Sequence, residues 1–281
     1  MREFQRTLHL LIRMPLSLMG LAVIALVTLG GLFAPIVTGQ SPIEINMTDS
    51  LAAPSWQHPF GTDDLGRDLW SRIVYGARTS LLIAVVVVCV SGCIGIFLGL
   101  LSGYFGRWVD QIIMRVADLF LAFPGIVLAM ALAAAFGKPS FEGTIVALAA
   151  IHWPSYARLV RGSVLSVKES EFIEAAKAGG EGEWSIIFGH VLPNVTSPLT
   201  VHATLDLGRA IILASTLGFV GLGIQPPTPE WGSMAAEGRN FILNQWWIST
   251  MPGLAIFFVV MAFNLLGDGL RDALDPRLRY R

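Results

Sequence analysis

Six stretches of this chain run without a charged side chain: 14–43, 79–106, 119–137, 143–157, 210–229 and 240–267. About 20 largely apolar residues cross a bilayer core of about 30 Å as a helix. Backbone surrounded by lipid must also satisfy its own hydrogen bonds, which a helix does and an open strand does not. The pattern therefore predicts an all-α polytopic membrane protein with six transmembrane helices, near 14–36, 79–103, 111–136, 143–161, 197–222 and 248–268. Charged residues make up 14% of the chain, against about 25% in soluble proteins. A net charge of −1 offers no basic face for nucleic acid.

Arg2, Arg6 and Arg13 precede the first stretch as they would a signal peptide, but its apolar body is long enough to span and no A-x-A cleavage site follows. It is predicted to remain as a helix. The fourth stretch is short and contains Trp153 and Pro154. Arg158 and Arg161 are expected to snorkel from it to the membrane face, with the kink at Pro154 tolerated beside neighbouring helices. With the N-terminus inside, thirteen Lys and Arg residues fall on the inner segments and five on the outer ones. This places both termini in the cytoplasm.

Residues 1–78 then comprise the first helix and an extracytoplasmic loop, in which Thr62 or Asp63 caps a short interfacial helix beginning near Asp64. Trp231, Trp246 and Trp247 read as an aromatic belt. Cys89 and Cys93, four residues apart in an apolar run, are poorly placed for a disulfide and too few for a zinc site, and are expected to be packing residues. Asp206 and Arg209, with His202 one turn earlier, read as an ion pair at the entry to the fifth span, with lining of the pathway as the alternative. His152 either lines a cavity or bonds a neighbouring helix. The five histidines show no ligand spacing, so no metal site is assigned.

The exception in this lipid-soluble chain is the polar segment EFIEAAKAGGEGEWSIIFGHVLPN at 171–194, within a cytoplasmic loop spanning about 162–195. A helix is predicted over 167–178, about 18 Å long, stopped by Gly179 and Gly180. Its alanine pair offers little bulk, so a partner can approach the backbone, and Glu169, Glu171, Glu174, Glu181 and Glu183 surround it. Its residues alone fit an ordinary amphipathic surface loop as well as they fit a docking element.

Glu174, Ala175, Ala176 and Gly180, followed by Leu192 and Pro193, resemble the EAA loop of permease subunits of ATP-binding-cassette importers, although His190 stands where that pattern commonly has isoleucine. HPFGTDDLGRDLWSRIVYGARTSL, WPSYARLVRGSVLSVKESEFIEAAKAGG, GFVGLGIQPPTPEWG and NLLGDGLRDALDPRL are similar to segments of the C-type subunit in the dipeptide, oligopeptide and nickel branch. The resemblance implies a type I permease domain over 79–281 and an EAA loop that couples to an ATPase. It also implies a homologous B-type permease, two cytoplasmic ATP-binding-cassette subunits, an extracytoplasmic substrate-binding protein and a prokaryotic plasma membrane with its lipid.

No G-x-x-x-x-G-K-[ST] motif occurs. The chain is therefore expected to be no enzyme and to hold no cofactor, with ATP and Mg bound by the partner ATPases. Short peptides are the expected cargo, with a nickel chelate or another small solute as the alternative. An ion-coupled secondary transporter would call for matching broken helices and intramembrane carboxylates. The two halves show no evident repeat.

Overall fold

A computed structural model describes Leu11 and residues 14–274, and the described residues form helices and connecting loops with no strand. Pro15–Leu32 forms α1 and Ala34–Thr38 the short α2. Leu69–Phe105 is α3, Arg107–Leu121 is α4 and Gly125–Ala135 is α5. Phe141–Lys168 is α6, Glu171–Ala178 is α7 and Glu183–Ile186 is α8, which a π turn joins to α9, Leu192–Val220. Trp231–Gly238 is α10 and Trp247–Leu274 is α11. Several terminal arginines counted in the orientation argument lie outside the described residues.

Four helical runs are long and apolar enough to cross a membrane: α1, α3, the continuous run Glu183–Val220, and α11. The bent pair α4 and α5 makes a fifth if taken as one span. Helix α6 is 28 residues long but falls short in hydropathy. It lies buried against α3, where Tyr156, Ala157, Val160 and Val164 are almost fully enclosed, so lipid solubility is not demanded of it.

Three boundaries differ from the sequence expectation. Helix α3 starts at Leu69, ten residues earlier than expected, because Asp68 rather than Thr62 or Asp63 caps it by accepting from Ser71 N. No separate interfacial helix begins at Asp64: residues from 69 onward are the first turns of a 37-residue helix, about 55 Å long. The expected helix over 111–136 is broken, and its halves meet at 92°. Pro124 sits there with a non-helical ψ of 120° as the N-cap of α5, and a proline disfavours helical geometry in the residue before it. Arg158 and Arg161 do not snorkel freely. Arg158 pairs with Asp118 at 2.5 Å, and Arg161 engages both carboxylate oxygens of Asp110 at 2.5 and 2.6 Å, so the lower half of α6 is tied to α4.

The most extensive helix pairing among the described residues is the seam between α3 and α6, where Gly95, Gly99 and Gly103 face Trp153, Ala157, Val160 and Val164. A Cβ on Gly99 would stand 2.7 Å from both Ala157 O and Val160 Cβ, and one on Gly103 would stand 2.7 Å from Val164 Cβ. Small residues at four-residue intervals are how membrane helices bring their backbones together. Cys89 and Cys93 are instead exposed on α3.

At one end of α3 the loop is locked by a buried charge network. Asp63 accepts from Arg67 Nε at 2.7 Å, from the backbone N–H groups of Leu65 and Arg67 at 2.9 Å, and from Arg72 Nη1. Arg72 Nη1 also donates to Glu237 at 2.7 Å. Trp231 and Trp247 belong to this lock rather than to an aromatic belt. Both are buried, with indole N–H groups donating to Ile73 O at 2.9 Å and Thr62 O at 3.3 Å, and only Trp246 is exposed. Glu230 caps α10 through Gly232 N and Ser233 N. Burial raises its carboxyl pKa above the ordinary range, although those hydrogen bonds act to lower it. Arg78 donates to Leu32 O at 2.7 Å and to Gly31 O, capping the last carbonyls of α1.

Candidate functional site

Helix α7 spans eight residues, shorter than the twelve expected, because Ser170 is extended and separates it from α6. Its end follows the glycine expectation. Gly180 adopts φ +79°, Gly180 N donates to Lys177 O at 3.0 Å and Glu181 N to Ala176 O at 3.2 Å. This is the paired-bond stop that a left-handed glycine permits.

The alanine pair divides. Ala175 is exposed, whereas Ala176 is buried in the same cluster as Ile173, Ile186, Ile187 and Val191. Ala176 therefore seats α7 on its own chain. Glu174, Ala175 and Gly180 remain on the surface, Pro193 is exposed at the start of α9, and Leu192 is half-buried against the core. Lys168 and Lys177 both sit over the Tyr104 ring, at 5.5 and 5.9 Å, and Lys168 Nζ donates to Tyr104 O at 2.5 Å. The short helix is thus clamped to the end of α3.

Sequence reasoning missed the aromatic surface beside α7. Phe172, Trp184 and Phe188 are each about half exposed, and Trp184 stacks on Phe188 with ring centroids 6.0 Å apart. Three exposed aromatic rings within an otherwise polar segment were the available signal, since aromatics anchor protein interfaces. His190 lies 3.0 Å from Glu181 Oε2, which ties the strand of chain after Gly180 back onto the π turn.

A second group of polar residues lies near the middle of α6 and α9. Asp206 does not pair with Arg209. His152 Nδ1 stands 2.9 and 2.8 Å from its two oxygens, and both side chains are buried. Asp206 is the fifteenth residue of a helix that begins at Leu192, so it lies well inside α9 rather than at a span entry. Tyr156 meets His202 edge to face, at 4.7 Å between centroids.

The family profile of the binding-protein-dependent transport system inner membrane component matches residues 95–280, and the chain belongs to that family. The dipeptide transport system permease protein DppC of Alkalihalophilus pseudofirmus is 48% identical over 264 residues, covering 94% of this chain and 86% of that protein. The probable D,D-dipeptide transport system permease protein DdpC of Escherichia coli is 47% identical, covering 94% and 88%. The glutathione transport system permease protein GsiD of Pectobacterium atrosepticum is 48% identical, covering 80% and 75%. Among solved structures, a chain of the inward-facing MetNI methionine ABC transporter aligns with a TM-score of 0.61 at 20% identity, covering 74% of this chain and 98% of that one. That likeness concerns the fold. The chain is a multi-pass membrane permease of an ABC transport system.

Proposed function

We propose that this permease forms half of the pathway through which an ATP-driven importer of the prokaryotic inner membrane carries short peptides. The observation that carries the peptide assignment is the identity of 47–48% to permeases named for dipeptide transport, over 94% of the chain. In this reading a B-type permease supplies the other half and a binding protein delivers cargo outside. Two cytoplasmic ATPases bind ATP and Mg and grip α7 through Glu174, Ala175, Gly180 and the adjoining aromatic surface. Ala176, Leu192 and Pro193 seat and orient that element. Force applied to α7 passes to α6 across two residues, and the Asp110–Arg161 and Asp118–Arg158 pairs carry it on to α4.

The exposure difference between the two alanines supplies the test. In a complex reconstituted with both permeases, the ATPases and the binding protein, Ala175→Trp should assemble, while dipeptide uptake and cargo-stimulated ATPase activity fall together, about fivefold or more. This follows because overpacking a tight contact costs about 1–3 kcal/mol. Ala176→Trp should instead lower the thermal stability of the permease itself. Unaltered stimulation with Ala175→Trp would remove α7 from the coupling route, and a wild-type complex that moves no dipeptide would overturn the cargo assignment.

Six spans with both termini inside complete the proposal, supported by the charge balance and by the length of α6. With Cys89 and Cys93 replaced, Ser41→Cys should react with an impermeant thiol reagent on spheroplasts and Ser185→Cys should react only after lysis. The opposite labelling pattern would invert the topology.

A further inference from the structure

Arg209 is the charged group in the membrane-spanning helices that most needs an explanation. It is exposed, lies beyond the midpoint of α9, and makes no ion pair or hydrogen bond among the described residues. Charges at membrane depth face protein or water rather than lipid. Its surroundings are not those of a lipid face. His202, Asp206, Arg209 and Thr216 recur at i, i+4, i+7 and i+14, one side of a helix, whereas α1 exposes Leu16, Leu21, Leu26 and Leu29.

On that side Arg209 lines a cavity of about 350 Å³ together with Gly125, Ile151, His152, Ser155 and Asp206. The Asp206 carboxylate is engaged at both oxygens by His152 Nδ1 rather than by Arg209, which leaves the guanidinium without that partner. His152 is 7% exposed and its Nε2 has no hydrogen-bond partner. The cavity thus presents one free guanidinium, the Ser155 hydroxyl and apolar walls of isoleucine and leucine. A guanidinium fork matches a carboxylate in geometry as well as in charge.

The geometry points to a carboxylate-binding station in the translocation pathway, where Arg209, beside the His152–Asp206 pair, receives the C-terminal carboxylate of a peptide in transit. This rests on the peptide-importer reading. It adds a residue within the permease that discriminates cargo, downstream of the binding protein. The apolar walls accept small side chains without selecting among them.

The test compares dialanine with dialanine amide in the reconstituted full complex. For Arg209→Ala, the fall in dialanine uptake should exceed the fall in amide uptake by about tenfold or more, the scale of one lost hydrogen bond to a charged group. The binding protein is the same in both complexes, so its own preference cancels from this ratio. Arg209→Lys keeps the charge without the fork and should recover part of the dialanine uptake. This rescue also decides the matter if the wild-type complex does not carry the amide. An equal fall for both peptides, or undiminished dialanine uptake, overturns the station. Failure of Arg209→Ala to co-purify with the second permease also overturns it, by making Arg209 a subunit contact. A wild-type complex that carries neither peptide overturns the peptide-importer reading together with the station.

Discussion

Gly99→Leu is expected to abolish accumulation of folded permease, while Gly162→Ala leaves it intact. Both glycines lie within long helices, but their surroundings are opposite. A Cβ at Gly99 would meet Ala157 O and Val160 Cβ at 2.7 Å, whereas one at Gly162 would meet nothing within 4 Å. The first two atoms belong to a backbone and to a β-branched side chain that is stiff at χ1, so neither can yield. Leucine would force α3 and α6 apart along the whole seam from Gly95 to Gly103. Overpacking one core site costs about 1–3 kcal/mol, and here the displacement is shared by every neighbour in the row. At Gly162, alanine should even favour the helix by up to about 1 kcal/mol. Thermal aggregation of detergent-solubilised permease distinguishes the cases, and an unchanged melting temperature for Gly99→Leu would show that the seam is not close-packed.

The second large effect is expected at Asp63. Its carboxylate is fully buried and receives two guanidinium groups and two backbone N–H groups. Asp63→Ala would leave Arg67 and Arg72 buried with only the partly exposed Glu237 to balance them. Breaking a buried pair from one side costs about 3–5 kcal/mol. Asp63→Asn retains an oxygen for Leu65 N and Arg67 N but not the charge, and should fall between alanine and wild type. Because the network pins residues 46–68 to α10, its loss should expose to trypsin the bond after Arg67, a residue now 4% accessible. Equal protection of that bond in wild type and Asp63→Ala would refute the lock.

The sequence revealed the existence of helices more clearly than their ends. Charge was read as the edge of a span, which placed the second helix at 79. Arg72 and Arg78 are in fact inside α3, tolerated because one is buried in an ion network and the other binds carbonyls of α1. The same habit moved Asp206 to a span entry, since its partner His152 lies 54 positions away in sequence and no local pattern records that contact. Pro124 did carry a visible signal for the break between α4 and α5, but the apolar run through it outweighed the proline. Gly179 and Gly180 stopped α7 as expected because the signal there is local: one backbone position needs φ above zero. Which alanine faces inward was not legible, since α7 is too short for its apolar period to define a face.

The cap that Arg78 places on α1 also has a meaning in time. A membrane chain is made from its N-terminus, so α1 is complete in sequence before residue 78 has been added. Until then the carbonyls of Gly31 and Leu32 lack the guanidinium that caps them in the finished fold. Once α3 is synthesised, the guanidinium donates to them and Gly31 comes to rest against Ala77 and Arg78. The order of synthesis thus becomes an order of docking: the first helix waits, unfinished at its end, for the second to complete it.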